Sequence, residues 1–248
     1  ETPDGLKTGP GFGGVVLSAT GNGKDSLYAS SGGRVLRFAR EGEGWKLAES
    51  SSLALNDPEA GPVIAWLDDT LWVVWIRGAE VMVRPALKPE AEPHAAFKAP
   101  SPIARLGARN AAGAIWVSAL ENRTGQLTLL ALKPSLSDNK TAVEVLRKGT
   151  LPQAAGRSSL AVLGSDSRTA VPVLAFTRKD DTTRTWLLQA WVAGSKPEGE
   201  WVDVTPPPRA GAASSLELTS FVTLMARGGE LVAWFSEAGA VKRTKTPW

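Results

Sequence analysis

The run Leu71-Trp-Val-Val-Trp-Ile76 contains no polar side chain. An extended chain sends successive side chains to opposite sides, so Trp72 and Trp75 belong to opposite faces of one strand. Both indoles can leave water only if something covers each face. A half-solvated sheet would alternate apolar and polar residues, whereas a sheet covered on both sides reads as a continuous apolar run. Similar short runs recur at Gly14–Ser18, Pro62–Leu67, Leu127–Leu132, Val171–Phe176 and Trp186–Val192, separated by Gly, Asp, Asn, Ser and Pro. Trp201-Val-Asp-Val-Thr205 does alternate, as an outer strand facing solvent on one side would. No window carries a clean helical period. Ala108–Ala119 comes nearest, but Gly113, Ile115 and Val117 interrupt it. The chain is predicted to be all-β.

The strands recur in a repeating setting. Strands of like surroundings begin near Leu27, Leu71, Ala114, Val173 and Leu231, a period of about 51 residues with about four strands per unit. The expected strands of the first two units are 15–19, 26–30, 34–40 and 45–50, then 62–67, 71–77, 80–87 and 95–99. The third and fourth hold 103–108, 114–120, 126–133 and 142–148, then 159–163, 171–178, 184–193 and 200–205. A fifth unit supplies 216–226, 230–236 and 240–246, one strand short, and Asp4–Gly13 is available to complete it.

This pattern resembles the β-propellers, in which four-stranded sheets stand radially around a channel. The resemblance implies a single domain over 1–248 with five antiparallel blades at 14–56, 57–101, 102–156, 157–213 and 214–248, the last closed by 4–13. Two β-sandwich domains meeting near Gly149–Gly156 are the alternative.

Ten tryptophans stand against one tyrosine. Those inside strand runs (Trp66, Trp72, Trp75, Trp116, Trp186, Trp191 and Trp234) are expected to pack between sheets. Trp45 and Trp201 differ, because each opens a fourth strand after a polar turn, Glu41-Gly-Glu-Gly-Trp45 and Lys196-Pro-Glu-Gly-Glu-Trp201. That placement is similar to the fucose-binding propeller lectins, where a Gly-Trp helps line a pocket between blades. Those lectins also use an Arg opening the second strand and a Glu in the third. Here the second strands open with Ser26, Thr70, Gly113, Val171 and Glu230, and Arg37 stands about where the Glu would fall.

Cysteine is absent, which excludes a disulfide framework, thiolate metal sites and a cysteine nucleophile. The sole histidine, His94, lies in a Pro-rich connection and is expected at the surface. The acidic pairs Asp68-Asp69 and Asp180-Asp181 occupy turn positions. A glycosidase needs two carboxylates flanking the bond, and of Ser18, Asp68, Arg105 and Thr219 on the first strands only Asp68 is acidic. The net charge of +3 is dispersed except at Lys242, Arg243 and Lys245, read as a solvated edge strand, so no nucleic-acid partner is expected. No stretch is long and apolar enough to span a bilayer. The start at Glu1 leans toward an extracellular or periplasmic location, and the sequons at Asn122 and Asn139 are read as markers of exposed loops.

The functional expectation is a non-catalytic recognition module, not an enzyme, binding a protein or glycan through loops or inter-blade surfaces. Trp45, Trp201, Arg37 and Asp68 are its candidate binding residues, with no catalytic residue, metal or cofactor. A structural subunit of a larger assembly is one alternative. A glycoside-acting hydrolase with acids at the channel mouth is another.

Overall fold

A computed structural model of the chain describes residues 16–18, 26–31, 33–55, 62–151, 154–178, 186–192, 200–204, 222–227, 230–237 and 240–246. Within them every regular element is a strand. None is a helix long and apolar enough to cross a membrane. The first sheet holds β1 (Val16–Ser18), β2 (Ser26–Ser31), β3 (Arg34–Glu41) and β4 (Gly44–Ser52). The second holds β5 (Val63–Leu67), β6 (Thr70–Arg77), β7 (Glu80–Pro85) and β8 (His94–Lys98). In the third are β9 (Ile103–Ala111), β10 (Ala114–Glu121), β11 (Leu127–Ser137) and β12 (Lys140–Leu151). The fourth has β13 (Ala154–Leu163), β14 (Val171–Arg178), β15 (Trp186–Val192) and β16 (Glu200–Asp203). The last has β17 (Val222–Arg227), β18 (Glu230–Glu237) and β19 (Ala240–Thr246).

Each sheet is an antiparallel meander in chain order. Neighbouring sheets meet chiefly through their first strands, with β1 beside β5, β5 beside β9, β9 beside β13 and β13 beside β17. One apolar cluster fills each junction. Trp75 belongs to the cluster between the first and second sheets, with Val35, Ile64 and Met82. Trp72 belongs to the next, with Val117 and Leu130. The two indoles therefore point to opposite faces and both are buried, as their spacing requires. Trp116 and Trp191 fill the third junction. Ala161, Val173, Leu224 and Leu231 fill the fourth.

Two-residue turns set the hairpin registers. Asp68 and Asp69 have φ of 47° and 56°, and Asp138 and Asn139 have 49° and 61°. Positive φ at both central positions matches the twist of the flanking strands, and Asp and Asn tolerate it better than most residues. The two sequon asparagines, Asn122 and Asn139, are exposed in hairpin turns as expected. The hairpin β11–β12 is longer than its apolar run indicates. It extends beyond the last pairing of β10, where Pro134 faces Val143 across two strands only, so the missing N–H of proline leaves no inner ladder broken. Glu92 N–H donates to the Asn139 carbonyl (2.8 Å), which ties the second sheet to the tip of this hairpin.

His94 is half-buried at the start of β8, opposite Val83, and not in a surface loop. Its strand was hidden by the prolines before it. The expected edge position of Lys242, Arg243 and Lys245 holds among the described residues, where β19 ends its sheet. The closing segment Asp4–Gly13 lies outside the described residues, as do Thr219 and the pair Asp180-Asp181.

Candidate functional site

The four expected site residues do not converge. Trp45 lies at the start of β4, 43% exposed. Arg37 lies on β3 in register with Glu49, three pairings away from the Arg40–Trp45 pair. It contacts Glu49 at 3.6 Å, with both side chains about half exposed, a pairing that contributes little. Tyr28, Val35, Arg37, Glu49, Ser51 and Leu87 line a crevice of about 50 Å³. That holds a few waters, against roughly 300–1,000 Å³ for a small-molecule site. Asp68 is exposed in the β5–β6 turn, where its positive φ assigns it a turn role. Trp201 stacks on Trp191 (ring centroids 6.0 Å apart, 21° between planes), and its indole N–H donates to the Thr150 carbonyl at 3.1 Å. Its polar handle is therefore already engaged across a sheet junction.

A different carboxylate stands out. Glu121 ends β10 after the fully buried run Ala114–Leu120 and is itself 2% exposed. The ladder slips between Leu120 and Glu121, so Glu121 pairs with Ile103 and passes over Ala104. Such irregularities re-aim a side chain at a strand end. Two hydroxyls donate to its Oε2, Ser101 Oγ at 2.7 Å and Thr124 Oγ1 at 2.9 Å. Its Oε1 is buried with no partner. Buried carboxylate oxygens are almost always satisfied, so this one calls for a role.

The second sheet brings another acid to the same corner. Gly78 accepts from the Ile103 N–H (3.1 Å) and Ala79 from the Ala99 N–H (2.8 Å). The β6–β7 turn thus abuts the strand end that pairs with Glu121. Glu80 opens β7 there, and Arg77 clamps its Oε2 through Nη2 (2.8 Å) and Nε (3.2 Å). Hydrogen bonding to Arg77 holds the Glu80 carboxyl below the usual carboxylate range against the opposing effect of burial, with the charges of Arg77 and Lys98 adding to the lowering. A depressed pKa stabilises the fold at pH values above the unfolded-state titration, and that contribution disappears as pH falls through the folded one. Arg77→Gln is expected to return the Glu80 titration to the ordinary range. Carboxyl-resolved NMR checks it, and an unchanged midpoint would dismiss the clamp.

Asp68, at the opposite ends of β5 and β6, is remote from this corner. Sequence reasoning passed over Glu121 because it closes an apolar run. The available signal was a carboxylate continuing a run whose other members are all buried. Its hydroxyl partners, 20 residues upstream and 3 downstream, are apparent only in the folded chain. Among the described residues no group of three or more His, Asp or Glu is placed to hold a metal ion.

No family model matches the chain, and neither does any curated protein. Among solved structures it is similar to the crystal structure of endo-arabinase from Bacteroides thetaiotaomicron VPI-5482. The two share 13% identity over 94% of this chain and 93% of that one, with a TM-score of 0.47. The expected non-catalytic recognition module, and the expectation that the chain is not an enzyme, are corrected by this finding, since the similar structure is that of an enzyme.

Proposed function

We propose that the chain is a glycoside-acting hydrolase built as a single five-bladed β-propeller, with acids at one mouth of its axis. The meander order and the side-by-side first strands support radial blades over a pair of sandwiches. In this reading the N-terminal segment completes the last blade, and an extracytoplasmic location accompanies it.

The observation that carries the proposal is Glu121, with one oxygen held by two hydroxyls and the other unengaged. Ser101 and Thr124 orient the carboxyl. Its Oε1 delivers a proton to the glycosidic oxygen as the bond to the anomeric carbon breaks. Glu80, kept ionised by Arg77, supplies the second carboxylate, which deprotonates the attacking water or adds directly to the anomeric carbon. The products are a hemiacetal sugar and the released alcohol, and the proton given up returns from the water consumed. In this reading the exposed Asn122–Thr124 turn, which holds one of the two hydroxyls, has to move aside for substrate to reach Oε1.

The test is sugar release from a panel of aryl glycosides and polysaccharides, arabinan among them. Glu121→Gln keeps the shape and is expected to lower turnover by about 100-fold or more while leaving the unfolding midpoint within a few degrees. The limb of the pH–rate profile that reports the acid should vanish with it. Absence of turnover on the whole panel, or full activity in the variant, overturns the proposal.

A further inference from the structure

The crevice at the first sheet has a chemistry of its own. Tyr28 on β2, Arg37 on β3 and Glu49 on β4 form one cross-strand row, and Val35 and Ser51 stand in the next row of the same face. Val35 belongs to the apolar cluster shared with the second sheet, so this face turns toward that sheet. Leu87, from the connection after β7, completes the lining. The crevice therefore draws its walls from two sheets.

Its polar side is a matched pair. Ser51 Oγ donates to Glu49 Oε1 at 3.2 Å, which orients the carboxylate. Arg37 Nη1 stands 3.6 Å from Glu49 Oε2, beyond hydrogen-bond length, and Arg37 Nε has no partner among the described residues. Both groups thus retain hydrogen-bonding capacity. A guanidinium only donates and a carboxylate only accepts, so a donor and an acceptor stand side by side. Their charges cancel, which favours a neutral ligand over an ion. The opposite side is apolar, built from Val35 and Leu87.

We propose that this crevice binds an acetamido group, carried by an N-acetylated sugar or amino acid. Its carbonyl accepts from the Arg37 guanidinium, its N–H donates to Glu49, and its methyl packs on Val35 and Leu87. The volume of about 50 Å³ admits a group of a few heavy atoms and not a sugar ring. Leu87 is 49% exposed and Glu49 is exposed, so the remainder of the ligand stays in solvent. A bare hydroxyl would satisfy the polar pair but leave the apolar wall wet. These residues belong to the first sheet and its neighbour, whereas Glu121 belongs to the third, so the site is independent of the hydrolase reading.

The experiment is ligand-observed NMR titration of the full chain. N-acetylglucosamine is compared with glucose, and N-acetylglycinamide with glycinamide. Arg37→Met and Glu49→Leu are compared with the parent after circular dichroism confirms their folding. At least one acetylated compound is expected to bind about tenfold or more tightly than its unacetylated counterpart, with its acetyl methyl receiving the strongest saturation from the protein. Each variant is expected to lose about tenfold in that affinity. Tighter binding of N-acetylglucosamine names a sugar as the source, and tighter binding of N-acetylglycinamide names an acylated amino acid. No binding of either acetylated compound, equal affinity with and without the acetyl group, or equal affinity in parent and variants overturns the proposal.

Discussion

Trp191→Ala is expected to destabilise the protein by about 4 kcal/mol, within the range for removing a buried tryptophan. Trp191 is 2% exposed at the junction of the third and fourth sheets. The Arg147 guanidinium lies 4.3 Å from the ring centroid, and Trp201 stacks on the ring as well. Arg147 is pinned by the Ala170 carbonyl (2.6 Å) and also reaches over Trp116 at 5.6 Å. Removing the indole thus empties a cavity and strands a cation that burial has already driven below its usual pKa. Gly149 lies against the same ring, where an added Cβ would come within 2.7 Å of the indole. Gly149→Ala is therefore expected to cost about 2 kcal/mol by overpacking. Chemical unfolding midpoints of the two variants measure both effects. A loss below about 1 kcal/mol for Trp191→Ala would show that this junction does not bind the sheets together.

Arg84→Ala is expected to cost about 3 kcal/mol. Arg84 is 3% exposed on β7 and has no ion-pair partner in hydrogen-bonding range among the described residues. Its guanidinium instead donates to backbone carbonyls, Lys88 at 3.1 Å, Ala54 at 3.4 Å and Leu53. It also lies 5.9 Å from the Trp75 ring centroid. These carbonyls belong to the exit of the first sheet and the loop after β7, and Leu53 is fully buried, so its carbonyl loses its donor with no water at hand. Leaving a buried acceptor unmet costs about 1–3 kcal/mol. Arg84→Lys is expected to recover less than half, since a point charge with three donors cannot span the fork. Thermal unfolding of the two variants decides this. Full recovery by lysine would mean that charge, not shape, supplies the stabilisation.

The candidate site was far less legible than the sheets. Residue type led to Trp45, Trp201, Arg37 and Asp68, because exposed tryptophan, arginine and aspartate commonly meet ligands. The fold uses Trp201 to bridge sheets through Thr150 and Asp68 to turn a hairpin. Glu121 stands out through its surroundings. A glutamate at a strand end is ordinary in a sequence. Burial without a full set of partners makes it unusual, and burial is a property of packing.

Local patterning determined the strands, because side-chain alternation and turn preference act over a few residues. The two faces of Leu71–Ile76, the turn at Asp68-Asp69 and the four-strand period follow from short-range chemistry alone. Contacts between sheets join residues far apart in the chain, such as Trp201 with Thr150 or Arg84 with Leu53. Which polar groups lose their water, and which find a partner on doing so, is decided only when those surfaces meet.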